Sequence, residues 1–201
     1  PLARISLTEL DAILGTEHRR GGRNIRRWGE LGLTGAWESR AIQPYSWAID
    51  DSFGFYLQNA VLLGSHRWNP ALRGYAHINN PDGTIYDHGQ QVLDALAGDP
   101  GGIAVSNIRY AGPEVKPLPL AHTPAGPFVA VTEASLIDRS YPLARTLPAV
   151  IDRPPDGRIA PKVREFLRYV LSREGQEAVN RDGRYLPLSP EFAAQQRRVL
   201  A

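Results

Sequence analysis

The stretch PKVREFLRYVLSREGQEAVNRDGRYLPL, residues 161–188, decides the fold. Pro161 suits the first turn of a helix, where its missing N–H costs nothing and its fixed φ is already helical. Val163, Phe166, Leu167, Val170 and Leu171 then recur at helical spacing and make the cleanest amphipathic face in the chain. A second, short helical piece is expected over 175–182, with Gly183 closing it. A last helix is expected over 190–199.

Upstream, helical segments alternate with short strand-like runs. Ser6-Leu7-Thr8-Glu9 is a capping box, in which Ser6 accepts from the Glu9 N–H and the Glu9 side chain reaches back. Leu7, Leu10, Ile13 and Leu14 give a helix over 7–14 that stops at Gly15. A strand is expected over 41–47. Ser52 then reads as the N-cap of a helix carrying Phe53, Tyr56, Leu57, Ala60, Val61 and Leu63 on one face and ending at Gly64. A third helix is expected over 85–96, stopped by Gly98, then a turn at Asp99-Pro100-Gly101-Gly102 and a buried strand over 103–105. Five prolines between 111 and 128 (Pro113, Pro117, Pro119, Pro124, Pro127) exclude a helix there and imply an extended crossing segment. Strands are expected over 128–132 and 143–151, and a Pro-rich turn over 152–156. The alternation implies an α/β layer fold.

Composition narrows the function. The 201 residues are 42% hydrophobic and 22% charged, with a net charge of +2, so neither disorder nor a general pull toward nucleic acid is expected. Cysteine is absent, which excludes a disulfide scaffold, Cys-ligated zinc and thiol catalysis. There is no run of 18 apolar residues to cross a membrane. Methionine is also absent and Pro1 comes first, which implies a processed or cut chain, so the lack of a leader is uninformative. Of the 23 basic residues only Lys116 and Lys162 are lysine, which reads as coding bias. The run Arg19, Arg20, Arg23, Arg26, Arg27 reads as a solvated loop, since Glu17 and Glu30 dilute it as a nucleic-acid patch. His77 and His88 lie eleven apart, with Asp82 and Asp87 between, which is not the i, i+4 spacing of a helical metal site; no metal and no cofactor is expected. There is no P-loop, no G-x-S-x-G and no H-E-x-x-H, and Ser140 and Ser172 lack an ordered His and acid; the chain is expected not to be an enzyme.

The 166–179 helix, with the F-L-x-Y-V-L-S-x-E-G-Q order it carries, resembles the C-terminal signature of phosphate-binding proteins of ABC importers, and Gly183-Arg184-Tyr185-Leu186-Pro187-Leu188 is similar to the G-Y-x-P-(L/V) that follows it. Other segments fall in the family's order: Ile5–Leu10, Trp28-Gly29-Glu30-Leu31-Gly32, Gly98–Ala104 and Tyr141-Pro142-Leu143-Ala144-Arg145. The resemblance implies a periplasmic-binding-protein-like α/β fold of two lobes joined by crossing strands, with the first lobe incomplete. Residues 1–123 would be the second, ligand-cleft lobe, and 124–201 the segment returning to complete part of the first. A cut chain, a proteolysed one and a shortened natural relative all fit.

The family's anion loop in this lobe reads R-x-x-x-S-G-T at a helix N-terminus, where unpaired N–H groups and the helix dipole favour an anion. The matching stretch here is Ala48-Ile49-Asp50-Asp51-Ser52-Phe53-Gly54-Phe55. The expected ligand residues are Asp51, Ser52, Phe53, Gly54 and Phe55. Ser52 reads first as an N-cap and second as a hydroxyl facing the cleft; the Thr position holds Phe55, and the Arg is lost near Trp47 or Ala48. A carboxylate at Asp50 or Asp51 can cap the helix itself and repel a dianion. Tyr45, Trp47, Phe53, Phe55 and Tyr56 read as core, or as an aromatic cleft wall. Arg40 and Arg145 are distant replacements for the lost Arg. The expected function is a non-catalytic periplasmic or other extracytoplasmic solute receptor that binds an oxyanion or small polar solute and docks on ABC-importer membrane subunits. The alternative is a ligand-free interaction module. Through the exposed sheet edges of the incomplete lobe and the apolar face of the 161–171 helix, two copies are expected to pair, or to exchange the 124–201 segment between chains.

Overall fold

A computed structural model describes residues 2–152 and 157–200. In chain order they form β1 (Ile5–Ser6), α1 (Leu7–Leu14), β2 (Gln43–Trp47), α2 (Ser52–Ala60), β3 (Arg73–Tyr75), β4 (Ile78–Asn79), β5 (Ile85–Tyr86), α3 (His88–Ala97), β6 (Gly102–Ala104), β7 (Leu120–Ala121), α4 (Glu133–Ile137), α5 (Pro161–Val170), α6 (Arg173–Asp182) and α7 (Pro190–Leu200). The chain divides into two compact units, Pro1–Val131 and Thr132–Ala201.

The capping box forms as its residues dictate: the Glu9 N–H donates to Ser6 Oγ (3.2 Å), and the Ser6 N–H donates to Glu9 Oε2 (2.7 Å). The apolar face of α1 is buried, Leu7, Leu10, Ile13 and Leu14 all being 4% exposed or less. The three-stranded sheet runs β3–β2–β6 and is parallel throughout, with Ser46 opposite Gly74 and Pro44 opposite Ile103. α3 packs on it through Val92 and Leu93, against Tyr45. β1 pairs in parallel with β7.

The basic run is not simply solvated. Arg20 donates to the carbonyls of Val61 (2.6 Å) and Ala60 (2.6 Å), and its N–H donates to Asp11 Oδ2 (2.9 Å). Arg26 donates to the carbonyls of Ala12 (2.7 Å) and Gly15 (3.1 Å). The last carbonyls of a helix have no partner within it. Two of the five arginines therefore close the C-terminal ends of α2 and α1.

Three expectations about elements are corrected. The third helix begins at His88, not 85, because Ile85 and Tyr86 pair antiparallel with Asn79 and Ile78 around the Asn80–Thr84 turn, and the Asp87 side chain then caps the helix. The expected strand 128–132 is reduced to one bridge, Val129 with Leu120, because Thr132 turns its hydroxyl to cap α4. The run 143–151 forms no strand among the described residues; Leu147 is 64% exposed and Val150 92%. The turn expected over 152–156 lies, apart from 152, outside the described residues.

In the second unit the decisive stretch folds as its chemistry requires. Ser172 caps α6 by accepting from the Gly175 N–H (3.1 Å). Gln176 donates to the Val170 carbonyl (2.6 Å) and accepts from the Leu188 N–H (2.6 Å), tying the end of α5 to the Tyr-Leu-Pro-Leu segment. Gly175 cannot carry a side chain: a Cβ there would sit 2.1 Å from the Tyr169 carbonyl oxygen. Yet α5 has no buried residue, and Phe166 on its apolar face is 64% exposed.

Candidate ligand site at the carboxyl edge of the parallel sheet

β2 is the central strand, and the chain runs from it through α2 to β3 on one side and, later, through α3 to β6 on the other. The carboxyl ends of such strands, where the order reverses, leave a crevice that open α/β sheets use for ligands. Trp47 ends β2 here; Tyr75 ends β3 and is followed by Ala76 and His77, and Ser106 to Tyr110 follow β6. The N-termini of α2 and α3 face the same edge, as the close approach of Asp51 and His88 shows.

Aromatic rings build the wall. Trp47 stacks on Phe53 (centroids 4.3 Å apart) and on His88 (3.8 Å), and His88 stacks on His77 (3.9 Å, planes 15° apart). The Trp47 indole N–H donates to Ser106 Oγ (3.2 Å), which donates to the Gly89 carbonyl (3.1 Å), so the tryptophan is held at both face and edge. The sequence allowed Trp47 and Phe53 as a cleft wall; the histidines of that wall were not foreseen, since only pairing of β4 with β5 brings residue 77 to residue 88.

The helix start differs from expectation. Asp51, not Ser52, is the N-cap of α2: its Oδ1 accepts from the N–H groups of Phe53 (2.7 Å) and Gly54 (2.8 Å). A carboxylate one residue before the serine reaches the same donors with a full charge, and the helix dipole favours the charge. The Phe55 N–H donates to the Asp51 carbonyl (3.0 Å). Gly54 meets a packing demand, since a Cβ there would lie 2.5 and 2.6 Å from the carbonyl oxygens of Ile49 and Ala48. Phe55 is 65% exposed. Asp51 Oδ2 is buried with no hydrogen-bond partner and lies 3.6 Å from His88 Nδ1.

Asp87 gathers the other side of the edge. It caps α3 through the Gly89 N–H (2.8 Å) and stands 3.7 Å from Arg109, 4.0 Å from His77 Nδ1 and 4.0 Å from His88 Nε2. Burial pushes its carboxyl up, but hydrogen bonds from Tyr110 and Gly89 and the neighbouring imidazoles outweigh burial and hold it below the usual range. Burial, then the second imidazole, holds His88 below the ordinary histidine value, against the pull of Asp87 and Asp51. Tyr110 is pushed up to about 12 by burial and by its bond to Asp87. His77, Asp87 and His88 thus offer three ligand-type atoms within 4.8 Å of one another, through tertiary placement and not helical spacing.

No family model matches the chain. It is 28% identical over 195 residues to "Phosphate-binding protein PstS" of two Pseudomonas aeruginosa strains, PAO1 and UCBPP-PA14, the match covering 96% of this chain. The chain spans 56% of the length of those relatives. Among solved structures it resembles that of a possible phosphate binding protein from Planctomyces limnophilus, with a TM-score of 0.62 at 14% identity, covering 98% of this chain and 63% of the other. Neither likeness supports a pairing of two copies. Over nearly its whole length the chain is thus similar in sequence to phosphate-binding proteins, and it shares a periplasmic-binding-protein-like α/β fold with the solved structure.

Proposed function

We propose that the chain is the ligand-cleft lobe and return segment, divided near residue 123, of a non-catalytic extracytoplasmic solute receptor that delivers its ligand to ABC-importer membrane subunits. The ligand sits at the carboxyl edge of β3–β2–β6, against Asp51 to Phe55, and is a singly charged or neutral polar solute in preference to phosphate dianion. The observation that carries this is the Asp51 carboxylate on the Phe53 and Gly54 N–H groups. In the resembling family that helix start takes an anion; here a side chain of the protein takes its place, and like charge repels a dianion. Cleft closure on a ligand follows from its higher affinity for the closed form.

The test is calorimetry on the full-length protein, in chelator-treated buffer, with phosphate, sulfate, singly charged oxyanions and neutral polar solutes. We expect a singly charged or neutral solute to bind tighter than phosphate at pH 8. Asp51→Ser keeps a capping hydroxyl and removes the charge, so phosphate binding should tighten about tenfold, or 1.4 kcal/mol. Micromolar phosphate binding by the native protein that Asp51→Ser does not improve would overturn the ligand assignment. Binding no tighter than millimolar across the panel favours the ligand-free interaction module, a reading that the occupied N–H donors also support.

A further inference from the structure

The geometry points to a transition-metal site of zinc type formed by the imidazoles of His77 and His88 and the carboxylate of Asp87. Two imidazoles and one carboxylate are a donor set suited to zinc, with positions left for water or a solute. The distances are those of a site before closure. Asp87 Oδ2 stands 4.0 Å from His77 Nδ1 and Asp87 Oδ1 stands 4.0 Å from His88 Nε2, and one ligand atom from each of the three residues lies within 4.8 Å of the others. Bonds of about 2.0–2.2 Å in a tetrahedron would draw such atoms to about 3.3 Å apart. His77 lies on the chain between β3 and β4 with a side chain 45% exposed, and its Nδ1 accepts from the His88 N–H (3.4 Å), a bond that metal at Nδ1 would replace. His88, 12% exposed and wedged between Trp47 and His77, is the fixed one.

The second observation is independent of the three donors. Asp51 Oδ2 is buried with no hydrogen-bond partner, 3.6 Å from His88 Nδ1. When a histidine binds metal through Nε2, its Nδ1 carries the proton and ordinarily donates it to a carboxylate or carbonyl. Asp51 stands where that acceptor is needed, so metal at Nε2 gives the unpartnered oxygen its donor. Asp87 keeps Oδ1 on the Gly89 N–H and Oδ2 near Arg109, and therefore binds through one oxygen beside these partners. The inference stands whether or not a solute binds at the sheet edge.

The experiment uses zinc alone, titrated into the whole chain against a chromophoric chelator. One zinc per chain at micromolar affinity is expected. His77→Ala, at an exposed position that leaves the fold intact by circular dichroism, should weaken binding about tenfold, and His88→Ala likewise. His66→Ala and His122→Ala, which alter histidines away from the cluster, should leave it within about twofold. Cobalt in place of zinc should show the visible bands of a low-coordinate nitrogen–oxygen site, lost in His77→Ala. Absence of micromolar binding overturns the inference, as does an affinity that a folded His77→Ala variant leaves within about twofold.

Discussion

Arg20 and Arg23 stand three residues apart in one basic run, and their surroundings separate them. The Arg20 side chain meets two helix-end carbonyls at 2.6 Å, and its backbone N–H meets Asp11, which is 1% exposed. Hydrogen bonds from a charged donor contribute about 1.5–3 kcal/mol each before their non-additivity. We expect Arg20→Ala to cost about 2–3 kcal/mol and Arg23→Ala, at an exposed position, to stay within about 0.5 kcal/mol, read from urea midpoints. Glu30 is a smaller case with a pH signature. Its Oε2 accepts from the N–H groups of Arg26 (2.8 Å) and Arg27 (2.9 Å), and the Arg26 bond, above burial, holds its carboxyl below the usual range. A carboxyl lowered on folding stabilises fully above its unfolded value of about 4.3, and the contribution is lost as pH falls through the folded value. Glu30→Gln should therefore be less stable than the native protein at pH 7, with the gap closing as pH falls below the usual carboxylate range. A gap that does not narrow in acid would contradict this account.

At the scale of elements, helix starts and stops follow short-range chemistry, and close packing at them limits which residues they accept. The N-terminus of α2 lies against the Ala48–Ile49 backbone, so Gly54→Ala forces a methyl to within 2.5 Å of a carbonyl oxygen that cannot rotate away. We expect a loss of about 1–3 kcal/mol in urea unfolding, of the size seen for overpacked cores. The same substitution at the exposed Gly83 turn meets a positive φ, which residue 54 does not have, but has open space around it. It should cost less, about 1 kcal/mol, from backbone strain alone. Equal losses at the two sites would mean that packing at residue 54 is not the cause.

Over the whole molecule, burial is uneven. Of the twenty-one buried hydrophobic residues among the described residues, only Ile159, Ala193 and Leu200 belong to the second unit. Apolar burial is the dominant stabilising term, at about 25 cal/mol per Å². The first unit should therefore hold the globally protected backbone. Native-state hydrogen exchange is expected to show α1, α2 and α3 exchanging only through global unfolding, and α5 to α7 through a cheaper local opening. Protection in α5 equal to that in α1 would sink this ranking.

What the sequence determined by itself is whatever chemistry acts over a few residues. The Ser6–Glu9 box, Pro161 at a helix start and the Gly183 stop each join groups within one helical turn, and each stands in the structure. The same short range made the α/β alternation and the family resemblance legible. The competition between Asp51 and Ser52 for one helix start was only half legible, since both side chains suit the role and the backbone path alone decides which one reaches the donors. Tertiary structure decided the rest, because those features need partners far along the chain. The run 143–151 has strand composition but pairs with no strand among the described residues. Arg20 and Arg26 look like a charged loop until folding brings them to helix ends up to forty-one residues away. His77 and His88 meet only because a hairpin returns the chain, and Asp51 joins them only because the parallel sheet sets two helix starts along one edge. Spacing along a chain encodes neighbours on a helix or a strand; it does not encode which loops a sheet will gather.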